Sequence, residues 1–219
     1  MSESGSVVIY GAGGHGKVVL DALECAGRQV AGFVDDDPDR AGGEYCGHSV
    51  LAAPGEWEAG RSVGFVVAIG DAGDRMRASD RVEQFGYELV TVVHPKAVVA
   101  SDVSIGPGSM VLAGAAVNPG VRVGRGVIIN TGAVVDHDCA IADFAHVAPG
   151  ARLAGNVRVG ERSLIGIGAT VVPGISIAAD AFVAAGAVVV SDVGEGVTVA
   201  GVPAKPLGRS GAAKTGGRG

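Results

Sequence analysis

The chain has 219 residues, enough to bury a core and to form one large domain or two small ones. Its 23 acidic and 17 basic residues give a net charge of -6, and without a long run of Lys or Arg we expect no nucleic-acid partner. The three cysteines lack metal-ligand spacing, and no signal peptide or membrane-length apolar stretch is recognisable. We therefore expect a cytoplasmic protein without a membrane span.

Strands alternate with helices in the first part of the chain. The segment "SVVIYGAGGHGKVVLDALECAG" predicts a buried strand, a glycine turn and a helix, and "QVAGFVDDDP" predicts a second strand that ends in acids. "GFVVAIGD" predicts a third strand. "AGDRMRASDRVEQFGYEL" predicts a second, amphipathic helix, with charges on one side and Met76, Val82 and Phe85 roughly on the other. This alternation predicts a small α/β domain over residues 1–93, with a parallel, Rossmann-like sheet.

The glycine-rich loop "GAGGHG" at residues 11–16 is the first candidate binding site. It follows a strand and opens a helix, the context in which G-x-G-x-x-G holds phosphate groups at a helix N-terminus. Asp35 and Asp36 end the second strand, where a carboxylate can accept hydrogen bonds from a ribose or a base. A nucleotide-sugar, NAD or a merely structural turn would each explain the loop. The domain has room for only about half of a two-halved dinucleotide fold, which favours the nucleotide-sugar.

A strict repeat of six residues follows. From Val99 to Val189 an aliphatic residue recurs at every sixth position. Three residues after most of them stands a residue that tolerates positive φ at a turn, namely Gly108, Gly114, Gly120, Gly126, Gly132, Asp138, Gly150, Asn156, Gly168 or Gly174. Phe144 and Arg162 interrupt this second pattern. A period of six fits neither a helix nor an alternating strand, and it predicts a solenoid of short parallel strands.

The domain limits follow from these two patterns. The α/β pattern ends near Pro95 and the repeats begin there, so we assign residues 94–208 to the solenoid. The remaining "RSGAAKTGGRG", residues 209–219, has low complexity and is predicted to be disordered.

Ionisable residues cluster in "VVDHDCAIADFAHVAPG", residues 134–150. In the six-residue frame His137 and Asp138 lie at a corner of the solenoid and should face outward. Solvated corner residues, a metal site and acid-base catalysis are the possible interpretations. We predict no metal, because no third histidine or cysteine has ligand spacing. Cys139 makes a covalent acyl-enzyme a weaker alternative.

The repeat resembles that of the hexapeptide acyltransferases, whose prism is a left-handed parallel β-helix with three hexapeptides per coil. The chain to about Leu207 is similar to the sugar acyltransferases that join a nucleotide-sugar-binding domain to such a β-helix. The motifs that carry this similarity are "IYGAGGHGKVV", "GFVDDD", "NTGAVVDHDC", "FAHVAPGARLAGNVRVG" and "GVPAK". The resemblance implies N-acetylation of a UDP- or GDP-linked amino-dideoxy sugar by acetyl-CoA; sialic acid O-acetyltransferases are relatives.

The resemblance also implies roles for individual residues. It makes His137 the general base and Asp138 the acid that raises its basicity, and it places His146 and backbone groups of Ile167 and Ala185 against acetyl-CoA. Seven residues would bind the nucleotide-sugar or lie near the reacting centre: Gly13, Gly14, His15, Asp35, Asp36, Asn130 and Asp136. A histidine that titrates near neutral pH suits the removal of a proton from an amine.

Several points stay open at this level. Asp138 stands where the family often has Glu, and Ala185 where it more often has Gly. Family members are homotrimers with active sites between adjacent prisms, which predicts a homotrimer here. O-acetylation, an NAD-dependent reductase and a non-catalytic scaffold remain alternatives. The sequence does not identify the nucleotide (UDP or GDP), the sugar, the acyl chain length or the oxyanion donor.

Overall fold

A computed structural model describes residues 5–51 and 63–207; the predicted disordered tail at 209–219 lies outside them. The first part is a sheet with two helices. Its elements are β1 (Ser6–Tyr10), α1 (Gly14–Cys25), β2 (Val30–Val34), β3 (Glu44–Tyr45), β4 (His48–Leu51), β5 (Val63–Val67), α2 (Ala72–Gln84) and β6 (Glu88–Leu89). The strand order is β3-β4-β2-β1-β5-β6, and only the β3–β4 pair is antiparallel.

The predicted strands and helices of this part are confirmed, with three additions at the edges. β1 is central and apolar, and four of its five residues are buried. The prediction missed β3 and β6, which are the two edge strands, and β4, which lies between β3 and β2; all three are short. It also placed every charge of α2 on the solvent side, but Arg75 is fully buried, whereas Phe85, expected on the apolar side, is 51% exposed.

The second part is a parallel β-helix. Seventeen two-residue strands recur every six residues: β7 (Val92–Val93), β8 (Val98–Val99), β9 (Ser104–Ile105), β10 (Met110–Val111), β11 (Ala116–Val117), β12 (Arg122–Val123), β13 (Ile128–Ile129), β14 (Val134–Val135), β15 (Ala140–Ile141), β16 (His146–Val147), β17 (Arg152–Leu153), β18 (Arg158–Val159), β19 (Leu164–Ile165), β20 (Thr170–Val171), β21 (Ser176–Ile177), β22 (Phe182–Val183) and β23 (Val188–Val189). β24 (Thr198–Ala200) and β25 (Lys205–Pro206) close the end.

Each strand from β7 to β20 pairs in parallel with the strand one coil further on, as Met110 does with Ile128, and β25 pairs antiparallel with β24. The strands therefore form three sheets, the faces of a prism. We name them the first face (β7, β10, β13, β16, β19, β22, β24 and β25), the second face (β8, β11, β14, β17, β20 and β23) and the third face (β9, β12, β15, β18 and β21). The aliphatic residues of the repeat form the core between them. The predicted fold, an α/β domain followed by a β-helix, is confirmed.

The corners of the prism require the left-handed backbone region. All ten predicted turn residues have positive φ, from 58° at Asp138 to 75°. Phe144 and Arg162 adopt the same conformation, with φ of 57° and 56°, although bulky residues rarely do so. Neighbouring coils compensate: the Phe144 ring packs on Gly126, and Arg162 donates two hydrogen bonds, of 2.8 and 2.7 Å, to Asp180.

The α/β part is docked on the first face. Val92, Met110 and Ile128 of that face share one apolar cluster with Val19 and Leu23 of α1. β7 is already paired with β10, so the first strand of the β-helix starts just before residue 94. The division at residue 93 into domains stays a prediction. Neither α1 nor α2, the two α-helices of the described ranges, has the length and apolar character needed to cross a membrane.

Candidate active site

His137 and Asp138 form a hydrogen-bonded pair at the corner between the second and third faces. His137 Nδ1 lies 2.8 Å from Asp138 Oδ2, and the two side chains are 55% and 61% exposed. The left-handed conformation of Asp138 turns its carboxylate back toward the preceding imidazole. The hydrogen bond to Asp138 raises the pKa of His137 above its ordinary value. With Nδ1 engaged, Nε2 is the nitrogen that can accept a proton from a substrate.

Asp136 holds the backbone of the same corner. Its Oδ1 accepts hydrogen bonds from Asn118 Nδ2 at 2.7 Å and from the His137 N–H at 2.8 Å. The bond from Asn118 is the largest cause of a lowered Asp136 pKa, so this carboxylate is ionised at neutral pH. Sequence reasoning missed Asn118. The signal was its position eighteen residues before Asp136, which is one coil.

Gly155, one coil beyond His137, is a second residue that sequence reasoning missed. A Cβ at Gly155 would lie 2.5 Å from His137 Nε2 and 2.6 Å from its Cε1. The imidazole therefore packs on the bare backbone of Gly155, and a side chain at position 155 would displace the ring.

Cys139 does not fit the role of a nucleophile. Its side chain is buried, and its Sγ donates to the Ala154 carbonyl at 3.2 Å. Burial raises the pKa of the thiol, which keeps it protonated.

The glycine loop opens onto a pocket of about 720 Å³ at the carboxyl ends of the central strands. A Cβ at Gly13 or Gly14 would meet no atom within 4 Å, so these two glycines leave space for a ligand at the start of α1. Gly16 differs, because a side chain there would strike the Gly11 carbonyl. The loop has the shape of a phosphate cradle.

Asp35 and Asp36 both line this pocket, and both already have protein partners. Asp35 accepts from the backbone N–H groups of Ala12, at 2.7 Å, and Asp37, at 2.9 Å, and so braces the glycine loop. Asp36 accepts from the Tyr10 hydroxyl at 2.5 Å and from Arg81 at 2.9 Å. Sequence reasoning missed the cationic side chains that share the pocket, which are Arg40, Arg77 and Arg81.

His15, Asn130 and His146 meet where the glycine loop touches the first face. The rings of His15 and His146 are 6.5 Å apart, and Asn130 Nδ2 lies 3.1 Å from His146 Nε2. Asn130 Oδ1 accepts from the Thr131 N–H at 2.8 Å, so Nδ2 is the donor and His146 Nε2 accepts. The other hydrogen-bond partner of His146 is the backbone of Gly70, in the pocket wall.

Both histidines of this group are neutral. Burial, with the charge of Arg75 as a further cause, lowers the pKa of His15 to about 4 and that of His146 to about 3. The Nε2 atom of His15 is buried and has no hydrogen-bond partner in the described part of the chain. His15 itself lines the pocket, so a ligand bound there would lie beside its ring.

Ile167 and Ala185 lie one coil apart at the corner between the first and second faces. Within the described residues neither backbone N–H has a hydrogen-bond partner, while the Ile167 carbonyl accepts from the Gly186 N–H at 2.8 Å. Ile167 is 62% exposed. The corner thus presents two free donors in a column, about 4.8 Å apart by the strand spacing.

The structure brings some predicted residues together and separates others. His15, Asn130, His146, Ile167 and Ala185 lie along the first face or at its corner with the second. The pair His137–Asp138 lies at the corner between the second and third faces, which is opposite the first face in a three-sided prism. The nucleotide pocket and the exposed histidine of one chain are therefore on opposite sides of the β-helix.

One group of possible metal ligands in the described segments is Asp21, Cys25 and His94, whose ligand atoms lie within 4.8 Å of one another. His94 Nδ1 accepts from the Lys96 N–H at 2.9 Å, so the neutral ring carries its proton on Nε2. Nε2 is the atom that faces Asp21, at 3.7 Å, and its lone pair is not free for a metal. This donor set does not fit a metal site.

Comparison with known proteins adds to this geometry. Residues 6–82 match the family model described as the PglD N-terminal domain. A variant of perosamine N-acetyltransferase from Caulobacter crescentus, crystallised with CoA and GDP-perosamine, is 45% identical, with 94% of this chain and 98% of that chain covered and a TM-score of 0.88. The acetyltransferase domain of PglB from Neisseria gonorrhoeae FA1090 is 38% identical, with 92% and 99% covered and a TM-score of 0.85.

A curated relative, the GDP-perosamine N-acetyltransferase of Escherichia coli O157:H7, is 33% identical over 143 residues. That alignment covers 62% of this chain and 64% of the relative, so it spans less than two thirds of that protein. The near-complete match to the Caulobacter enzyme is the stronger likeness. The chain belongs to the family of nucleotide-sugar N-acetyltransferases, which confirms the predicted resemblance and the acyltransferase class.

Proposed function

We propose that this protein transfers the acetyl group of acetyl-CoA to the amino group of a nucleotide-linked amino-dideoxy sugar. The observation that carries the proposal is the His137–Asp138 pair, an exposed imidazole with one nitrogen held at 2.8 Å and the other free. The pocket beside Gly13 and Gly14 and the complex of a 45% identical relative with CoA and GDP-perosamine support it.

His137 acts as the general base. Its Nε2 takes a proton from the sugar amine as the nitrogen attacks the thioester carbonyl, and Asp138 stabilises the imidazolium that forms. The C–N bond forms and the C–S bond breaks, and the proton on His137 passes to the departing sulfur of CoA. The oxyanion that develops on the carbonyl needs a fixed donor, and the free N–H groups of Ile167 and Ala185 are the candidates.

The nucleotide-sugar binds in the pocket of the α/β part. Gly13, Gly14 and His15 contact the diphosphate, because the start of α1 is open there and His15 lines the same pocket. Asp35 and Asp36 contribute to binding by shaping the loop and the pocket wall, through the protein hydrogen bonds described above. His146, Ile167 and Ala185 contact acetyl-CoA, Asn130 lies near the reacting centre on the sugar side, and Asp136 orients the His137 corner.

The active site is completed between chains of a homotrimer. In one chain the pocket is docked on the first face, while His137 lies at the opposite corner. A sugar bound in that pocket therefore meets His137 of a neighbouring chain. Residues 1–93 and 94–208 then contribute to one site from different subunits. A cytoplasmic location is supported by the three cysteines, all of them free.

A panel assay tests the reaction. Purified protein is mixed with acetyl-CoA and UDP- or GDP-linked amino sugars, and release of the CoA thiol is followed, with His137→Ala as control. Release with one sugar that the variant fails to give would support the proposal. Release only with a hydroxyl acceptor would replace it by O-acetylation, and no release with any acceptor would overturn it.

Subunit complementation tests the shared site. His137→Ala is co-expressed with Gly14→Leu, whose side chain would fill the open space of the cradle. Two inactive chains that regain activity as a mixed assembly must share sites. A mixed assembly that stays inactive, or an active monomer, would contradict the shared site.

A further inference from the structure

Arg75 is the largest fully buried side chain in the described part of the chain. It stands in the first turns of α2, and its guanidinium donates only to backbone carbonyls. These carbonyls belong to both parts of the molecule. Arg75 therefore spans the seam between the α/β part and the β-helix.

On the α/β side Arg75 Nη1 donates to the carbonyls of Ile69 and Gly70, both at 2.8 Å. Ile69 and Gly70 line the nucleotide pocket, and Gly70 is also the backbone partner of His146. Arg75 is thus attached to the wall of the pocket itself.

On the β-helix side Arg75 contacts two successive coils. Its Nε donates to the Gly126 carbonyl at 2.8 Å, and its Nη2 donates to the Phe144 carbonyl at 2.5 Å. Both residues are corner residues between the third and first faces, with positive φ. The planar guanidinium therefore fixes a direction relative to two corners stacked one above the other.

No carboxylate of the described ranges is hydrogen-bonded to this cation. Burial lowers its pKa to about 10, which still leaves it charged at neutral pH. A buried charge is costly, and an apolar side chain of similar volume can stabilise such a seam as well or better. The apolar cluster of Val19, Met110 and Ile128 already holds the two parts together, but apolar contact is non-directional.

We infer that Arg75 is a positioning residue, which fixes the angle at which the nucleotide pocket is carried on the β-helix. The inference rests on the proposed function, in which a sugar in the pocket must reach His137 of a neighbouring chain. A change in that angle moves the amine away from the base, while the open cradle at Gly13 and Gly14 and the His137 corner, which Arg75 does not contact, keep their structure. Arg75 therefore governs turnover more than nucleotide affinity.

Arg125 provides a matched control at the same seam. It pairs with Asp80 and Glu83 of α2, at 2.9 and 2.7 Å, and those two carboxylates are about half exposed. Arg125 touches none of the pocket wall, and it holds α2 only through ion pairs with half-exposed carboxylates, which contribute little, so Arg125→Ala should leave turnover unchanged.

The kinetic test compares Arg75→Lys, which keeps the charge but not the planar fork, with Arg125→Ala and the unsubstituted protein. We expect Arg75→Lys to lower kcat about tenfold or more, while the dissociation constants of GDP, UDP and CoA change by less than about twofold. Unchanged kcat overturns the inference, and so does a kcat loss that is matched by lost nucleotide binding. If neither Arg75→Lys nor Arg75→Gln folds, Arg75 serves folding and the inference is also overturned.

A distance measurement tests the same inference without activity. One spin label is placed on exposed Cys46 and a second on the cysteine of Arg152→Cys, which lies on the β-helix. Cys25→Ser removes the other exposed thiol, and Cys139 is buried. Labelled chains are diluted with unlabelled ones, so that only distances within one chain are measured. We expect a narrow distance distribution that broadens or shifts in Arg75→Lys and not in Arg125→Ala. An unchanged distribution overturns the inference. If the unsubstituted protein acetylates no sugar, the proposed function fails and this distance alone decides the role of Arg75.

Discussion

His137, at the open corner, and His146, at the seam between the α/β part and the β-helix, are nine residues apart in the chain. The two sites use the same kind of side chain in opposite ways. His137 is 55% exposed, and its pKa is raised by Asp138. His146 is largely enclosed, and burial lowers its pKa to about 3. The surroundings of each ring therefore assign its role: a histidine at an open corner can exchange a proton near neutral pH, whereas a buried one serves as a neutral hydrogen-bonding bridge.

The largest expected effect that tests this contrast is on turnover. His137→Ala removes the base, and we expect kcat to fall by about 10²- to 10⁴-fold. The thermal unfolding midpoint should change little, because the side chain is exposed and the hydrogen bond lost with it, to Asp138, lies at the surface. Steady-state kinetics and circular dichroism check both expectations. A loss of less than about tenfold would remove His137 from the role of base.

Gly155→Ala sharpens the contrast without touching a histidine. The added Cβ would occupy the place of His137 Nε2, and because the imidazole is exposed it can swing aside while the fold is kept. We expect a loss of about 10²-fold in kcat from the misplaced base. Gly194→Ala is the control, since its Cβ would meet only Val197, at an ordinary 3.5 Å. Equal kinetics of the two variants would show that the ring position does not matter.

His146→Leu tests the other half of the contrast through stability. The variant leaves Asn130 Nδ2 without its partner and removes the hydrogen bond between His146 and Gly70, whose carbonyl keeps Arg75, so we expect a loss of about 1–3 kcal/mol in the free energy of unfolding. Urea unfolding measures it. A variant as stable as the original protein would contradict the bridging role.

The same variant carries a pH signature. The unfolded chain protonates His146 below about pH 6.5, whereas the folded chain does so only near pH 3. Between these values the unfolded state binds more protons, so stability falls as the pH is lowered. His146→Leu lacks this contribution, and its unfolding free energy should depend less steeply on pH in that range. His15 adds a smaller contribution of the same sign, since its pKa is about 4.

The smallest expected effect concerns Asp138. Asp138→Asn keeps the shape and tolerates the left-handed backbone, but it removes the charged acceptor that raises the His137 pKa. His137 then stays neutral to lower pH, so the acid limb of kcat/KM should move to lower pH. A pH profile and the titration of the ring by NMR measure the shift. A limb that moves upward would contradict the assigned partner.

The sequence predicts the β-helix well because its register is local. Each turn residue and each aliphatic position repeats with period six, so the corners at Asp138 and Asn156 could be located without the structure. Phe144 shows why the pattern is incomplete: its left-handed backbone is compensated by Gly126, one coil away. That compensation depends on contacts across eighteen residues, which local propensity does not contain.

The candidate site was predicted less completely, for the same physical reason. His137 and Asp138 are sequence neighbours, so their pairing could be anticipated from the chain alone. The burial of Arg75 could not, because its partners lie up to 69 residues away and are carbonyls, which every residue possesses. The neutral state of His146 likewise depends on how the α/β part covers the first face.

The eighteen-residue register of the coils has a consequence for how this chain can change in length. Inserting a whole coil between His137 and Ile167 would keep every later residue on its face and move it along the axis by about one strand spacing, ~4.8 Å. Inserting a single hexapeptide would instead rotate everything downstream to the next face. Ile167 and Ala185 would then no longer lie at the corner between the first and second faces, next to the face that carries the nucleotide pocket. The β-helix can therefore lengthen by whole coils but not by single hexapeptides.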